Sequence, residues 1–108
     1  IQGTLKLCLC NAEVIACQKM GLTFIPGNLP AAVEELLLNS NAITALNELA
    51  LRNLTELRLL SLSGNQIQEI PANTFASSPR LRNLYFGYNA LHWIVRDAFY
   101  NLNNLRYL

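Results

Sequence analysis

Four hydrophobic registers begin at Val33, Leu57, Leu81 and Leu105, and each follows the last by 24 residues (57−33, 81−57, 105−81). Aligned on that period, the chain runs Val33-x-x-Leu36-x-Leu38-x-x-Asn41-x-Ile43, Leu57-x-x-Leu60-x-Leu62-x-x-Asn65-x-Ile67, and Leu81-x-x-Leu84-x-Phe86-x-x-Asn89-x-Leu91. The next begins with Leu105 and Leu108 and stops, so the native protein is expected to continue. A fixed period confines the fold more than any other feature here. Each unit must offer its neighbours the same faces, so the core runs through a stack of similar units. Such a stack suits surface recognition better than catalysis.

Within each unit the fourth and sixth residues alternate with neighbours expected outside, the period of a strand with one buried face. Leu36/Leu38, Leu60/Leu62 and Leu84/Phe86 are therefore expected inside, with short strands stacked as a parallel sheet. Leu46, Ile70 and Ile94 recur at the fourteenth position, and Leu51, Phe75 and Phe99 at the nineteenth. The rest of each unit then returns along the other side in loops or brief turns. Phe75 and Phe99 fit a spine there better than a cofactor pocket. An Asn amide carries both donors and an acceptor. Asn41, Asn65 and Asn89 are thus expected to form a structural ladder that satisfies loop backbone groups, rather than a binding site.

The segment before Val33 is a degenerate unit. Ala12, Ile15, Cys17, Met20, Leu22 and Ile25-Pro26 fit positions one, four, six, nine, eleven and fourteen to fifteen, and Met20 stands where Asn would be. The divisions are residues 1–32 as an end cap, units 33–56, 57–80 and 81–104, and 105–108 as the start of another. All three cysteines, Cys8, Cys10 and Cys17, lie in the cap. A local staple explains that clustering better than three buried thiols, which would scatter. A zinc site is disfavoured because the single His, His92, lies far off and no second Cys/His pair exists. Disulfides point to an oxidising, extracellular or lumenal compartment.

Cys8-x-Cys10-x6-Cys17 followed by Gly21-Leu22-x-x-Ile25-Pro26-x-x-Leu29-Pro30 resembles the N-terminal cysteine cap of extracellular leucine-rich repeat proteins, and units with Ile70-Pro71-x-x-x-Phe75 resemble their typical 24-residue subclass. That group includes Toll-like receptors, variable lymphocyte receptors, Slit-like guidance proteins, small proteoglycans and hormone-receptor ectodomains. The resemblance implies an α/β-type solenoid: a right-handed arc with a concave parallel sheet and a mostly irregular convex side. Such caps usually bond four cysteines first to third and second to fourth. The first is missing here; Thr4 stands about where it would be, or it lies upstream of Ile1. Carried over residue by residue, the pattern pairs Cys8 with Cys17 and leaves Cys10 unpaired or bonded externally.

Bulk properties narrow the function. Eight basic and seven acidic side chains give a net charge of +1. With Lys and Arg scattered, there is no footprint for nucleic acid or an anionic membrane. No apolar stretch approaches the roughly 20 residues of a membrane span, and no basic and apolar leader opens the chain, so any signal peptide is expected to have been removed. No acid, base and nucleophile constellation exists, Glu34 and Glu35 diverge as strand neighbours, and no phosphate loop, Ca²⁺ loop or zinc-protease motif occurs. Neither an enzyme nor a cofactor is expected.

Function should then sit on the outward strand positions two, three, five, seven and eight. Leu37, Leu59, Tyr85, Tyr88 and Tyr107 would make an apolar and aromatic strip on a face that water otherwise wets, which favours a protein or peptide partner over ordinary scattered surface residues. Arg58, Arg82 and Arg106 form a column at its edge, either complementary charge or a solvated ladder. His92-Trp93 occupies positions held by Thr44-Ala45 and Gln68-Glu69. There Trp93 is an exposed contact or, preferably, a plug against the next unit. Asn53-Leu54-Thr55 is the one N-glycosylation sequon, away from the strip. By fold-level analogy an immune receptor module is preferred. The alternatives are a hormone-receptor or guidance-type ectodomain, or a matrix or adhesion protein of small-proteoglycan type, whose caps usually have a wider cysteine cluster.

Overall fold

The computed structural model describes residues 8–11, 13–27, 29–46, 51–91 and 98. They contain one five-stranded sheet in sequence order: β1 (Leu9–Cys10), β2 (Val14–Ala16), β3 (Glu35–Leu37), β4 (Leu59–Ser61) and β5 (Asn83–Tyr85). From β2 to β5 all pairs are parallel, and their register repeats: Ile15 opposite Leu36, Leu36 opposite Leu60, Leu60 opposite Leu84. The spacing is 21 residues for the first pair (36−15) and 24 for the next two (60−36, 84−60). This is the leucine-rich repeat solenoid, with its parallel sheet on one side and turns on the other.

Each parallel strand has three residues, and its centre points inward. Ile15, Leu36, Leu60 and Leu84 are fully buried, as are Cys17, Leu38 and Leu62 two residues on. A full burial of this kind contributes about 1.5–3 kcal/mol per side chain. Phe86, at the same place in the third unit, is only half-buried and packs edge to face on Phe75, ring centroids 6.1 Å apart. Behind the sheet, Ile43, Ile67, Leu51, Phe75 and Ile70 complete one continuous core. Phe99, the other half of the expected spine, lies outside the described residues.

The return side is a series of turns that also repeats. The Leu54 amide donates to Leu51 O and the Leu57 amide to Leu54 O, while one period on the Ser78 amide donates to Phe75 O and the Leu81 amide to Ser78 O. Ser78 sits where the preceding unit has Leu54; fully buried, it satisfies its hydroxyl by donating to Leu54 O at 3.0 Å.

The asparagines tie unit to unit. Asn41 Nδ2 donates to Leu38 O in its own unit and to Cys17 O in the one before, and its Oδ1 accepts from the Met20 and Leu22 amides. Asn65 Nδ2 donates to Leu62 O and back to Leu38 O while its Oδ1 accepts from the Ile43 amide. Asn89 makes the corresponding bonds to Phe86 O, Leu62 O and the Ile67 amide.

At the cap end β1 pairs antiparallel with β2, Leu9 opposite Ala16 and Cys10 opposite Ile15. This hairpin is not visible in the repeat pattern. Its turn is built by Asn11, whose Oδ1 accepts from the Glu13 and Val14 amides at 2.9 Å, an Asx turn. The next opposed pair is Cys8 and Cys17, joined by a disulfide with Cα atoms 4.7 Å apart. Cys10 is exposed and carries a free thiol.

Two outcomes follow. Asn65→Ala should destabilise the fold by about 1–3 kcal/mol, because a buried amide hydrogen and two carbonyls lose their partner; urea unfolding reads this directly, and a change within error would contradict the ladder. Non-reducing peptide mapping should recover Cys8 linked to Cys17; Cys10 found linked to Cys17 would contradict the cap.

Candidate binding face

Because strand side chains alternate, each buried centre leaves two outward neighbours. The parallel register turns these into rows across the sheet, spaced by about 4.8 Å per strand. One row is Val14, Glu35, Leu59 and Asn83; the other is Ala16, Leu37, Ser61 and Tyr85. Leu37 and Leu59 are half-buried and Tyr85 is 39% exposed. Ser61, also expected in water, is buried. The register explains this: Ser61 is the small member of its row, between Leu37 and Tyr85, and their larger side chains shelter it.

A third row precedes the strands. Glu13, Glu34, Arg58 and Arg82 occupy position two in successive units, so charge segregates along the solenoid, acidic near the cap and basic toward β5. Glu35 adds to the acidic end. Arg58 Nε lies 3.8 Å from Glu34 Oε1 with both side chains well exposed, a pair worth little to stability. Among the described residues Arg82 has no ion-pair partner, and it is exposed. Arg106 and Tyr107 lie outside the described residues, as do His92 and Trp93.

A fourth row follows the strands and has a backbone constraint of its own. Lys19, Ser40, Gly64 and Tyr88, at position eight of successive units, all adopt left-handed backbone, with φ of 56°, 62°, 72° and 57°. The turn demands it: the Ser40 and Gly64 amides each donate at 2.9 Å to the position-seven carbonyl of the next unit, Ser63 O and Gly87 O. The Asn that follows reaches back to its own strand, donating to Leu38 O, Leu62 O or Phe86 O. Gly64 adopts this conformation freely, but for other L-residues it costs about 1–2 kcal/mol. Tyr88 is the bulkiest residue to do so and is 93% exposed.

Two exposed apolar side chains escaped the strip argument. Met20 is 41% and Phe24 64% exposed. Phe24 holds the position of Ala45 and Glu69 in later units, where no side chain is core. That signal could have flagged it, as it flagged Trp93. Asn53 and Thr55 of the sequon are exposed and flank buried Leu54 in the turn before β4, away from the rows. Among the described residues no group of His, Cys, Asp and Glu is placed to hold a metal ion, and no helix is long and apolar enough to cross a membrane.

The family model for leucine rich repeat matches residues 31–91 and 62–108. The chain belongs to the leucine-rich repeat family. It is 32% identical over 114 residues to human Toll-like receptor 9, an alignment covering 91% of this chain and 11% of that protein. Among solved structures it superposes on human trophoblast glycoprotein with a TM-score of 0.82 and 34% identity, over 94% of this chain and 38% of that one. The TLR13–ssRNA13 complex matches with a TM-score of 0.67 and 33% identity, over 69% of this chain and 11% of that one. The chain thus spans well under half the length of these leucine-rich repeat relatives. Their solenoids carry the same stacked strands, and the disulfide at Cys8 and Cys17 fits a cap of the family.

Proposed function

We propose that this leucine-rich repeat segment is an extracellular protein-recognition module of a receptor ectodomain that captures a protein partner on its concave sheet face, without catalysis. The observation that carries the reading is the aromatic and aliphatic surface held outward there: Leu37 and Leu59 half-buried, Tyr85 and Tyr88 exposed. An apolar surface rimmed by charge is what a protein interface requires. The disulfide supports an oxidising compartment, and the similarity to Toll-like receptor 9 supports a receptor ectodomain.

The TLR13–ssRNA13 complex raises nucleic acid as a second occupant. The face argues against it. A phosphate backbone is held by clustered Lys and Arg, whereas here Glu13, Glu34 and Glu35 occupy the cap end and Arg58 already faces Glu34. The exposed sequon at Asn53 supports a glycan on the turn side, which leaves the sheet face clear.

The test is a screen of the secreted protein against arrayed extracellular proteins, followed by titration of the binder found. Tyr85→Ala should weaken binding by about 1–3 kcal/mol, as central aromatic anchors do, with the unfolding midpoint nearly unchanged; Asn53→Gln should remove a glycan and leave affinity as it was. Equal loss from both changes, or none from Tyr85→Ala, would move the site off the concave face.

A further inference from the structure

Tyr88 combines two properties that rarely coincide. Its backbone is left-handed, φ 57°, a conformation few bulky L-residues adopt, and its side chain is 93% exposed. Nothing within the fold requires an aromatic there: Gly64 and Ser40 build the same turn one and two units earlier. At 93% exposure the Tyr88 ring gains little packing among the described residues to offset the strain, and strained residues that persist in this way cluster at functional sites.

The surroundings say what would meet it. Arg82, Tyr85 and Tyr88 follow one another at three-residue spacing: just before β5, at its end and in the turn after it. Arg82 offers a guanidinium with no ion-pair partner among the described residues, at the basic end of a row whose other end is Glu13 and Glu34. That row repels a carboxylate at the cap and accepts one only toward β5.

We propose that Tyr88 is the specificity-determining anchor of this face, and that its occupant is an acidic protein segment lying along β5, with a carboxylate on Arg82 and apolar side chains on Tyr85 and Tyr88. This rests on the concave-face reading above. The left-handed tyrosine is retained for the partner at the expense of fold stability, so the two properties separate on substitution.

The experiment uses the secreted protein and three sets of short synthetic peptides that share an aromatic and aliphatic core and carry Glu, Lys or Ser flanks. Thermal unfolding of Tyr88→Gly should show a midpoint about 2–5 °C above wild type. In titrations the Glu-flanked set should bind tightest, Tyr88→Gly should lose about tenfold in affinity for it, and Arg82→Glu should shift preference to the Lys-flanked set. An unchanged or lower midpoint for Tyr88→Gly would make the tyrosine a structural residue and overturn its role as anchor. Equal binding of all three sets, or none of any, would overturn the acidic occupant. If Tyr85→Ala abolishes capture while Tyr88→Gly does not, the anchor falls and the concave face stands; capture indifferent to both substitutions removes the face as well.

Discussion

Everything in this molecule hangs on a side-chain amide that bonds to two units at once. Asn65 gives its hydrogens to Leu62 O in its own unit and Leu38 O in the preceding one, and takes the Ile43 amide on its oxygen. With strands only three residues long, the ladder alone could not fix the turn that follows each of them. A buried carbonyl left unpaired costs more than a typical hydrogen bond contributes, and the asparagine removes that penalty on both sides of the junction. The stack is thereby cooperative between neighbours, as quasi-one-dimensional folds are. The left-handed residue at position eight belongs to the same turn, lying between the strand and the amide that reaches back to it.

The cap solves the end problem differently. Met20 replaces the asparagine and offers no side-chain amide to reach back, while Asn41 takes the Leu22 amide just as Asn65 takes that of Ile43 and Asn89 that of Ile67, and takes the Met20 amide besides. On the other side β1 covers the edge of β2, and an open edge is a hazard for association. The Cys8–Cys17 disulfide closes that hairpin, so two residues of strand suffice where an isolated ladder of that length would fray.

Much of this was legible because the period fixes registers: once Val33, Leu57 and Leu81 were aligned, the pairing of Leu36 with Leu60 and of Leu60 with Leu84 followed. What was not legible has physical reasons. Leu9–Cys10 is too short to show any alternation, and the turn that makes it a hairpin depends on one Asn11 oxygen. Lys19, Ser40, Gly64 and Tyr88 share no turn signature beyond the one glycine, so their common left-handed backbone appears only in the structure. Ser61 is buried by the size of its cross-strand neighbours, which a rule of alternation ignores. Of the candidate face, the rows could be assigned from the register, including the basic column of Arg58 and Arg82; the strain at Tyr88 emerged only with the structure.

The account thus joins a rigid inner ladder to an outer face free to vary, since side chains at positions two, three, five and eight can change without touching the amides that hold the stack. Native-state hydrogen exchange tests the inner half most directly. The Ile43 and Ile67 amides, which donate to Asn65 and Asn89, should exchange as slowly as the strand amides of Leu59 and Asn83, which donate to Glu34 O and Arg58 O. In Asn65→Ala the Ile43 amide should lose its protection selectively while Ile67 keeps it. Exchange of Ile43 at the rate of an exposed loop in the unaltered protein, or no selective loss in the variant, would contradict the ladder as the interaction on which the fold depends.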